Sequence, residues 1–149
     1  MTSKAKLDQI NIISADFEKS VAFYDIVGIA HPEIFRNSSG APVHAGGHGG
    51  EGIDHDIDSP EFAGVWNAGW KGASDLVGKV VVGFRVATRK EVDHRASELE
   101  AAGYKVLQSP YDAFWGSRYA IIEDPDGIAV GLMSPPDDAF RSRPPEPGD

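Results

Sequence analysis

The feature that most limits the fold of this chain is a strand followed by a helix, an order that occurs twice. Within residues 7–13 the apolar Ile10 and Ile12 alternate with polar residues, which predicts a half-buried strand. Asp16 then stands where a helix N-cap is expected, and Gly28 supplies the stop typical of a helix C-terminus. The first strand and helix are therefore predicted to end at Gly28.

The second occurrence lies roughly 72 to 75 residues further along, a spacing typical of internal duplication. Residues 82–86 again place apolar side chains on alternate positions, which predicts a strand. Thr88 and Glu91 have the spacing of a capping box, and the helical stripe after them ends at Gly103. The side chains of the two halves differ, so the repeat is one of pattern.

Short extended runs separated by turn residues follow each strand–helix unit. The runs are Pro32–Arg36, Ala41–Ala45 and Gly52–Asp58 in the first half, and Lys105–Ser109, Ser117–Ile122 and Ile128–Met133 in the second. The predicted fold is therefore α+β, with two βαβββ modules at residues 1–58 and 80–134. Residues 59–79 form a linker that carries Trp66 and Trp70, and the proline-rich, charged residues 135–149 are expected to be a disordered tail.

The last two extended runs form a hairpin around an Asp-Pro-Asp-Gly turn at residues 124–127. Side chains alternate across a strand, so Ile128, Val130 and Leu132 share one face, which is expected to be buried. The opposite face, with Gly131 at its centre, is nearly bare. This predicts open space above Gly131.

The stretch Phe114–Leu132 resembles the closing hairpin of the vicinal oxygen chelate superfamily, which includes glyoxalase I, extradiol dioxygenases and bleomycin-resistance proteins. The resemblance extends over nearly the whole chain before the tail. It implies that paired βαβββ modules curl their sheets around a cleft that holds a ligand or a metal, and that the protein is a homodimer. One fold serves many chemistries, so the resemblance predicts the fold more closely than the function.

In metal-dependent members of that superfamily the metal is bound from the first and last strands of both modules. The resemblance places these positions at Gln9 and Asp56 in the first module and at Val81 and Gly131 in the second. Valine and glycine offer no ligand atom, and a catalytic divalent ion needs about three protein ligands. We therefore expect neither a metal nor another cofactor at these positions.

A second candidate metal site is formed by His44, His48 and His55, close in sequence to Asp54 and Asp56. Imidazole and carboxylate are ordinary zinc or iron ligands. The segment is too rich in glycine for a helix, so the spacing of His44 and His48 has no helical meaning. If residues 52–58 form a strand, His55 lies on the opposite face from both aspartates. The favoured interpretation is solvated loop histidines with one histidine packed against the core.

Charge and composition limit the classes of partner. The formal net charge is −9, which argues against nucleic acid and favours cationic ligands, although it also serves solubility. The chain has no cysteine, which excludes disulfides, thiolate metal sites and a cysteine nucleophile. No apolar run is long enough for a membrane span, and residues 1–6 lack the apolar core of a signal peptide. A cytoplasmic protein with no membrane partner is expected.

The residues expected to line the cleft combine small and polar side chains with aromatic side chains from the linker and the last hairpin. They are Gln9, Asn11, Asp54, Asp56, Trp66, Trp70, Arg85, Tyr111, Phe114, Trp115 and Met133. The tryptophans are candidates for stacking on a flat ligand or for cation–π contacts. Alternatives stay open, because Trp66 and Trp70 have the spacing of one helix face and Arg85 has the option of a structural ion pair.

The favoured function is metal-independent binding of a small molecule, most simply sequestration of an antibiotic or other natural product that is bulky and partly aromatic or cationic. Catalytic residues are not expected under this interpretation. The alternative is a glyoxalase-like lyase or isomerase, or a dioxygenase, with a divalent metal at a non-standard site. A third interpretation is a vestigial cleft in a domain that serves as a partner interface.

Overall fold

The computed structural model describes residues 9–47, 53–66, 72 and 80–143. The chain divides into two compact units, Met1–Ser74 and Asp75–Asp149. The elements of unit 1 are β1 (Gln9–Ile13), α1 (Phe17–Val27), β2 (Glu33–Arg36), β3 (Pro42–Gly46), β4 (Asp54–Asp58) and α2 (Pro60–Trp66). Those of unit 2 are β5 (Val81–Arg85), α3 (Arg89–Ala101), β6 (Val106–Asp112), β7 (Arg118–Glu123) and β8 (Ala129–Met133), followed by a 3₁₀ turn (Asp138–Phe140).

Each unit contains one four-stranded mixed sheet, and the two sheets have the same topology. Their strand orders are β1-β4-β3-β2 and β5-β8-β7-β6. In each sheet the first and last strands pair in parallel, and the other neighbours are antiparallel. The predicted α+β fold with two βαβββ units is confirmed.

Local capping defines the start of both long helices as the sequence predicts. The Asp16 side chain accepts a hydrogen bond from the Lys19 N–H, and Gly28 ends α1 in the left-handed conformation at φ 111°. The Thr88 hydroxyl accepts from the Glu91 N–H at 3.2 Å and begins α3. These caps orient each helix directly after its strand, so that its apolar stripe covers one face of the sheet.

The core of unit 1 lies between α1 and the inner face of its sheet. Phe23, Tyr24 and Val27 of α1 are buried, as are Ile12 of β1 and Ile57 of β4. Because side chains alternate along a strand, burial of Ile57 turns its neighbours Asp56 and Asp58 to the other face. The burial of the apolar side chains therefore fixes which polar side chains lie on the outer face of the sheet.

The core of unit 2 has the same arrangement around α3. Val92, Ala96 and Leu99 of the helix are buried, together with Ile122 of β7 and Leu132 of β8, as the 3.6-residue and 2-residue spacings predict. Within the described residues, no helix is both long and apolar enough to cross a membrane.

The first part of the predicted disordered tail has structure. Asp137 begins the 3₁₀ turn, its N–H donates to the Gly116 carbonyl, and Ser142 N–H donates to the Phe114 carbonyl. The guanidinium carbon of Arg89 lies 3.7 Å from the centre of the Phe140 ring. A cation–π contact and backbone hydrogen bonds to distant residues are not visible in the composition of a segment. Residues 144–149 lie outside the described part of the chain.

Candidate functional site

The outer face of the unit 1 sheet carries a row of paired polar side chains. Gln9 and Asn11 of β1 run parallel to β4, opposite Asp54 and Asp56. The Gln9 amide donates a short hydrogen bond to Asp56, and Asn11 Nδ2 donates to Asp58 Oδ2 at 3.0 Å. Each amide thus reaches diagonally to the carboxylate two residues beyond its direct neighbour. The predicted co-location of Gln9, Asn11 and Asp56 on one face is present in the structure.

His44 completes this row from β3. It lies directly opposite Asp58 in the antiparallel β3–β4 pair, and its Nδ1 is 2.5 Å from Asp58 Oδ1. Asp58 is only 1% exposed, and its two carboxylate oxygens are bound by Asn11 and His44. The expectation that His44 is a solvated loop residue is wrong, because β3 places the ring in this network.

An aromatic groove lies beside these polar groups. It consists of two adjoining hollows that share His44 and Phe62. One hollow, of about 370 Å³, is lined by Gln9, Asn11, His44, Asp58, Phe62 and Trp66. The other, of about 420 Å³, is lined by Phe35, Val43, His44 and Phe62. The groove thus has a polar wall on β1 and β4, and an aromatic wall on β2 and α2.

Helix α2 positions the aromatic wall. The Ser59 hydroxyl accepts a hydrogen bond from the Phe62 N–H at 3.2 Å, which fixes the first turn of the helix. The His44 ring lies 5.9 Å from the Phe62 ring and 5.6 Å from the Phe35 ring, measured between centroids. Trp66, at the end of α2, is 49% exposed. Exposed aromatic faces beside a hollow are suited to stacking on a flat ligand.

A pair of histidines, His31 and His55, is buried on the opposite face of the same sheet. His31 Nε2 and His55 Nδ1 are 3.0 Å apart, and the His55 ring packs 4.3 Å from Tyr24. Burial lowers the pKa of His55 to about 4, and the neighbouring His31 adds to this effect. Burial also lowers the pKa of His31. Both rings are therefore neutral core residues near pH 7, as expected for His55 from strand alternation.

In unit 2 the predicted aromatic residues surround Tyr119 of β7. Trp115 lies 5.3 Å from the Tyr119 ring, Phe114 packs edge-on against Trp115 at 5.1 Å, and Tyr111 lies 6.2 Å from Tyr119. Burial raises the pKa of Tyr119, and the neighbouring Tyr111 contributes. Tyr119 was absent from the predicted site residues, although its position in the sequence between Trp115 and the final turn already associates it with this hairpin.

The space predicted above Gly131 is filled. A Cβ built at Gly131 would stand 3.0 Å from both Cε2 and Oη of Tyr119. The side chain from β7 therefore covers the bare position of β8, and the prediction of open space there is wrong. Gly83, the direct neighbour of Gly131 on β5, has no atom within 4 Å of a Cβ built on it.

The remaining predicted residues are more dispersed. Asp54 is half-buried at the start of β4, while Arg85 and Met133 stand opposite each other at the ends of β5 and β8. Arg85 is exposed and Met133 is half-buried. Trp70 and His48 lie outside the described residues. The additional groove residues that the sequence interpretation omitted are Phe35, Val43, Asp58 and Phe62.

A further hollow, of about 600 Å³, lies in unit 2 at the start of α3 and is lined by residues 87–89 and 134–138. The basic residue in its lining, Arg89, already has partners within the protein. Arg89 donates to the Gly116 carbonyl at 2.9 Å and to Asp112, besides its contact with Phe140. The Arg89 guanidinium is therefore already paired with groups of unit 2, and one of its contacts holds Phe140 of the tail.

The residues at the superfamily's metal positions do not fit a metal site. In unit 1 the Gln9 amide nitrogen donates to Asp56, so that the two candidate ligands bind each other. In unit 2 Val81 and Gly131 have no ligand atom, and Tyr119 covers Gly131. The described residues contain no group of three or more His, Asp or Glu side chains arranged to hold a metal. His44 and His55 lie on opposite faces of the sheet, which separates the second candidate set.

Known proteins resemble this chain over most of its length. A family model described as Glyoxalase/Bleomycin resistance protein/Dioxygenase superfamily matches residues 6–132. An uncharacterized protein of Mycolicibacterium smegmatis is 26% identical over 133 residues, which cover 89% of this chain and 97% of that protein.

Two solved structures have similar folds. A glyoxalase/bleomycin resistance protein/dioxygenase family enzyme from Burkholderia phytofirmans PsJN is 23% identical, with a TM-score of 0.70, covering 87% of this chain and 98% of its own. TnmS3, an antibiotic binding protein from Streptomyces sp. CB03234, is 21% identical, with a TM-score of 0.61, covering 91% of this chain and 99% of its own. At these identities the likeness concerns the fold.

Proposed function

Since the chain belongs to the Glyoxalase/Bleomycin resistance protein/Dioxygenase superfamily, we propose that it binds a small molecule without a metal ion and sequesters it. The ligand class is a bulky, partly aromatic natural product such as an antibiotic. We also propose that the protein is a homodimer and acts in the cytoplasm.

The observation that carries this proposal is the aromatic groove of unit 1. Phe35, Phe62 and Trp66 provide flat apolar surface, and the His44–Asp58 pair lies within the same walls. Ligand sites in proteins are typically mostly apolar with a few convergent polar groups, and the two hollows fall within the usual range of about 300–1,000 Å³. An antibiotic binding protein with the same fold, TnmS3, supports the ligand class.

Binding without a metal follows from the state of the donors in the groove. Gln9 and Asp56 are joined by a hydrogen bond, as are Asn11 and Asp58. A metal ion would compete with the amide donors for these carboxylates, whereas a flat organic ligand leaves the pairs in place. Sequestration requires no turnover, so the absence of a suitable donor set among the described residues is no obstacle to it. The alternative of a metal enzyme that uses the histidines gains no support from His44 and His55, which face opposite sides.

The proposal is tested by titrating the protein with a panel of planar natural products, read by isothermal titration calorimetry with and without a chelator. Truncation of Trp66 or Phe62 to alanine is expected to weaken binding about tenfold, because stacking of an aromatic pair contributes roughly 0.5–1.5 kcal/mol beyond the area it buries. Val65→Ala is the matched control, since Val65 is an exposed neighbour on α2 that does not line the groove.

Two results would contradict the proposal. Binding that disappears with the chelator and returns with a divalent metal would make the protein metal-dependent. Binding that is unchanged in the Trp66 and Phe62 variants would place the ligand elsewhere. The proposed homodimer is checked by the native mass in sedimentation. The exposed apolar side chain of Ile34, on the edge strand β2 and outside the groove lining, is the first candidate for the contact surface.

A further inference from the structure

We propose that His44 presents Nε2 to the groove as a hydrogen-bond acceptor, so that the groove selects flat ligands that carry a hydroxyl or N–H donor on the ring. This rests on the proposed function, since it requires a flat ligand in the groove. It adds a chemical class of ligand and a residue that determines specificity.

In a neutral His44 ring, the nitrogen that carries the hydrogen is determined by the neighbouring Asp58. Asp58 Oδ2 accepts a hydrogen bond from Asn11, and Asp58 Oδ1 lies 2.5 Å from His44 Nδ1. An ionised carboxylate only accepts hydrogen bonds, so Nδ1 carries the hydrogen that it donates to Asp58. A neutral imidazole has a single N–H, which leaves a lone pair on Nε2. The buried aspartate thus fixes the tautomer of the histidine.

The second nitrogen of His44, Nε2, belongs to a ring that has aromatic neighbours on the groove. The ring is flanked by Phe35 and Phe62 and lines both hollows of the groove. Among the described residues, no hydrogen bond to Nε2 is present. A bound apolar ring would bury this acceptor unpaired, which costs more than a typical hydrogen bond gains. A ring with a donor at that point satisfies it, so the groove discriminates between the two.

The carboxylates of the groove are not open to a cationic ligand in the same way. Both oxygens of Asp58 are occupied, and Asp56 accepts from Gln9 and, at 3.4 Å, from the Gly47 N–H. Each of these oxygens already accepts one hydrogen bond, so the carboxylates attract a further cation less strongly than bare ones would. Among the described groups that line the groove, Asn11 Oδ1 is also without a hydrogen-bond partner, but this atom is buried, whereas the His44 ring lines both hollows.

The test uses 2-naphthol and 2-methylnaphthalene, which differ by a hydroxyl in place of a methyl group of similar size. Binding is followed at about pH 8, above the usual range of histidine protonation, by the amide NMR signals of β3 and β4 in the full-length protein. Wild type is expected to bind 2-naphthol at least about tenfold more tightly than 2-methylnaphthalene, because only 2-naphthol pairs the acceptor on His44. In His44→Phe the two affinities are expected to become equal, because phenylalanine keeps the flat wall and lacks the acceptor.

A second variant reverses the polarity of the same nitrogen. In Asp58→Asn the new amide is able to accept from Asn11 and donate to His44 Nδ1, which moves the imidazole hydrogen to Nε2. The ¹⁵N shifts of the His44 ring report this change directly, without a ligand. The expected outcome is an Nδ1–H tautomer in wild type and an Nε2–H tautomer in the variant. Preference is expected to move from 2-naphthol towards isoquinoline, whose ring nitrogen only accepts.

The outcomes separate this inference from the function on which it rests. Equal binding of both naphthalenes to wild type, or an Nε2–H tautomer in wild type, overturns the inference and leaves a flat-ligand groove in place. If wild type binds none of the flat probes and none of the natural products, the proposed function and the inference are overturned together. Selectivity for 2-naphthol that persists in His44→Phe also overturns the inference, because the acceptor would then belong to another residue.

Discussion

Acid is expected to destabilise unit 1 through the buried pair of His31 and His55. The two ring nitrogens share one hydrogen bond of 3.0 Å beneath the sheet, and His55 is 2% exposed. Burial is the main cause that lowers the pKa of His55 to about 4, with repulsion from His31 as the second cause. The charge of Asp56 acts in the opposite direction and does not compensate. Protonation of His55 is thus much less favourable in the folded state than in the unfolded chain.

The sign and size of the effect follow from this difference. The unfolded chain takes up the proton near the ordinary histidine pKa of 6.5 and the folded state near 4, so between these values the unfolded state binds more protons. The stabilisation is complete above the unfolded pKa and is lost as the pH falls through the folded one. At 1.36 kcal/mol per pH unit the total is about 3 kcal/mol. Domains are stable by only about 5–15 kcal/mol, so this loss is readily measured.

The assay compares wild type with His55→Asn in urea unfolding series between about pH 7.5 and pH 4.5, followed by the amide signals of unit 1. Asparagine places a polar atom near the former Nδ1 and does not titrate. The variant is expected to be less stable near neutral pH because it lacks part of a buried ring. Its deficit relative to wild type is expected to shrink as the pH falls, by most of that total of about 3 kcal/mol.

The matched control is His94→Asn. His94 is on α3 with a side chain 78% exposed, at 3.9 Å from Glu98, so its replacement changes one exposed histidine and leaves the buried pair intact. A constant deficit of His55→Asn at every pH would refute the reasoning, because it would mean that His55 has the same pKa in both states. An NMR titration in which His55 protonates near pH 6.5, its ordinary value, would do the same.

Two further predictions concern glycines of unit 2. Gly131→Ala is expected to cost about 1 kcal/mol in urea unfolding, because the new Cβ meets Tyr119 at 3.0 Å, while Gly83→Ala is expected to be neutral or slightly stabilising. Equal effects of the two would show that Tyr119 yields freely. Gly116→Ala is expected to cost more than Gly103→Ala: both have positive φ, of 98° and 94°, and only the Cβ at Gly116 meets a backbone carbonyl, at 2.6 Å.

The order of elements was predictable because each signal that defines it is local. Asp16 and Thr88 cap helices within three residues of themselves, and Gly28 ends α1 through its own backbone conformation. Alternation along each strand depends on nothing beyond that strand. The same period placed His55 in the core and Gln9 on the outer face. Helix caps and strand alternation depend on neighbouring residues, so they are visible in the sequence alone.

The groove was predicted only in part, because its key contacts depend on register between strands. His44 meets Asp58 since β3 and β4 pair antiparallel with these two residues opposite each other. The sequence shows that Asp58 shares a face with Asp56, but not which residue of β3 stands across from it. The same holds for Tyr119, which covers Gly131 diagonally from the neighbouring strand. Contacts of this kind require the pairing to be known first.

The two sheets share one topology, and at the metal positions that the resemblance implies they fail to fit a metal for different reasons. In unit 1 the donor atoms are present, but the Gln9 amide satisfies Asp56, so a metal would compete with an existing hydrogen bond. In unit 2 the resemblance implies a metal position at Gly131, and Tyr119 occupies the volume that a longer side chain there would need. Replacement of Gly131 by glutamate alone would therefore displace Tyr119 from its aromatic contacts before it supplied a ligand. The polar face that remains in unit 1 pairs its carboxylates internally, and this leaves the orientation of His44 as the feature through which the groove distinguishes one flat ligand from another.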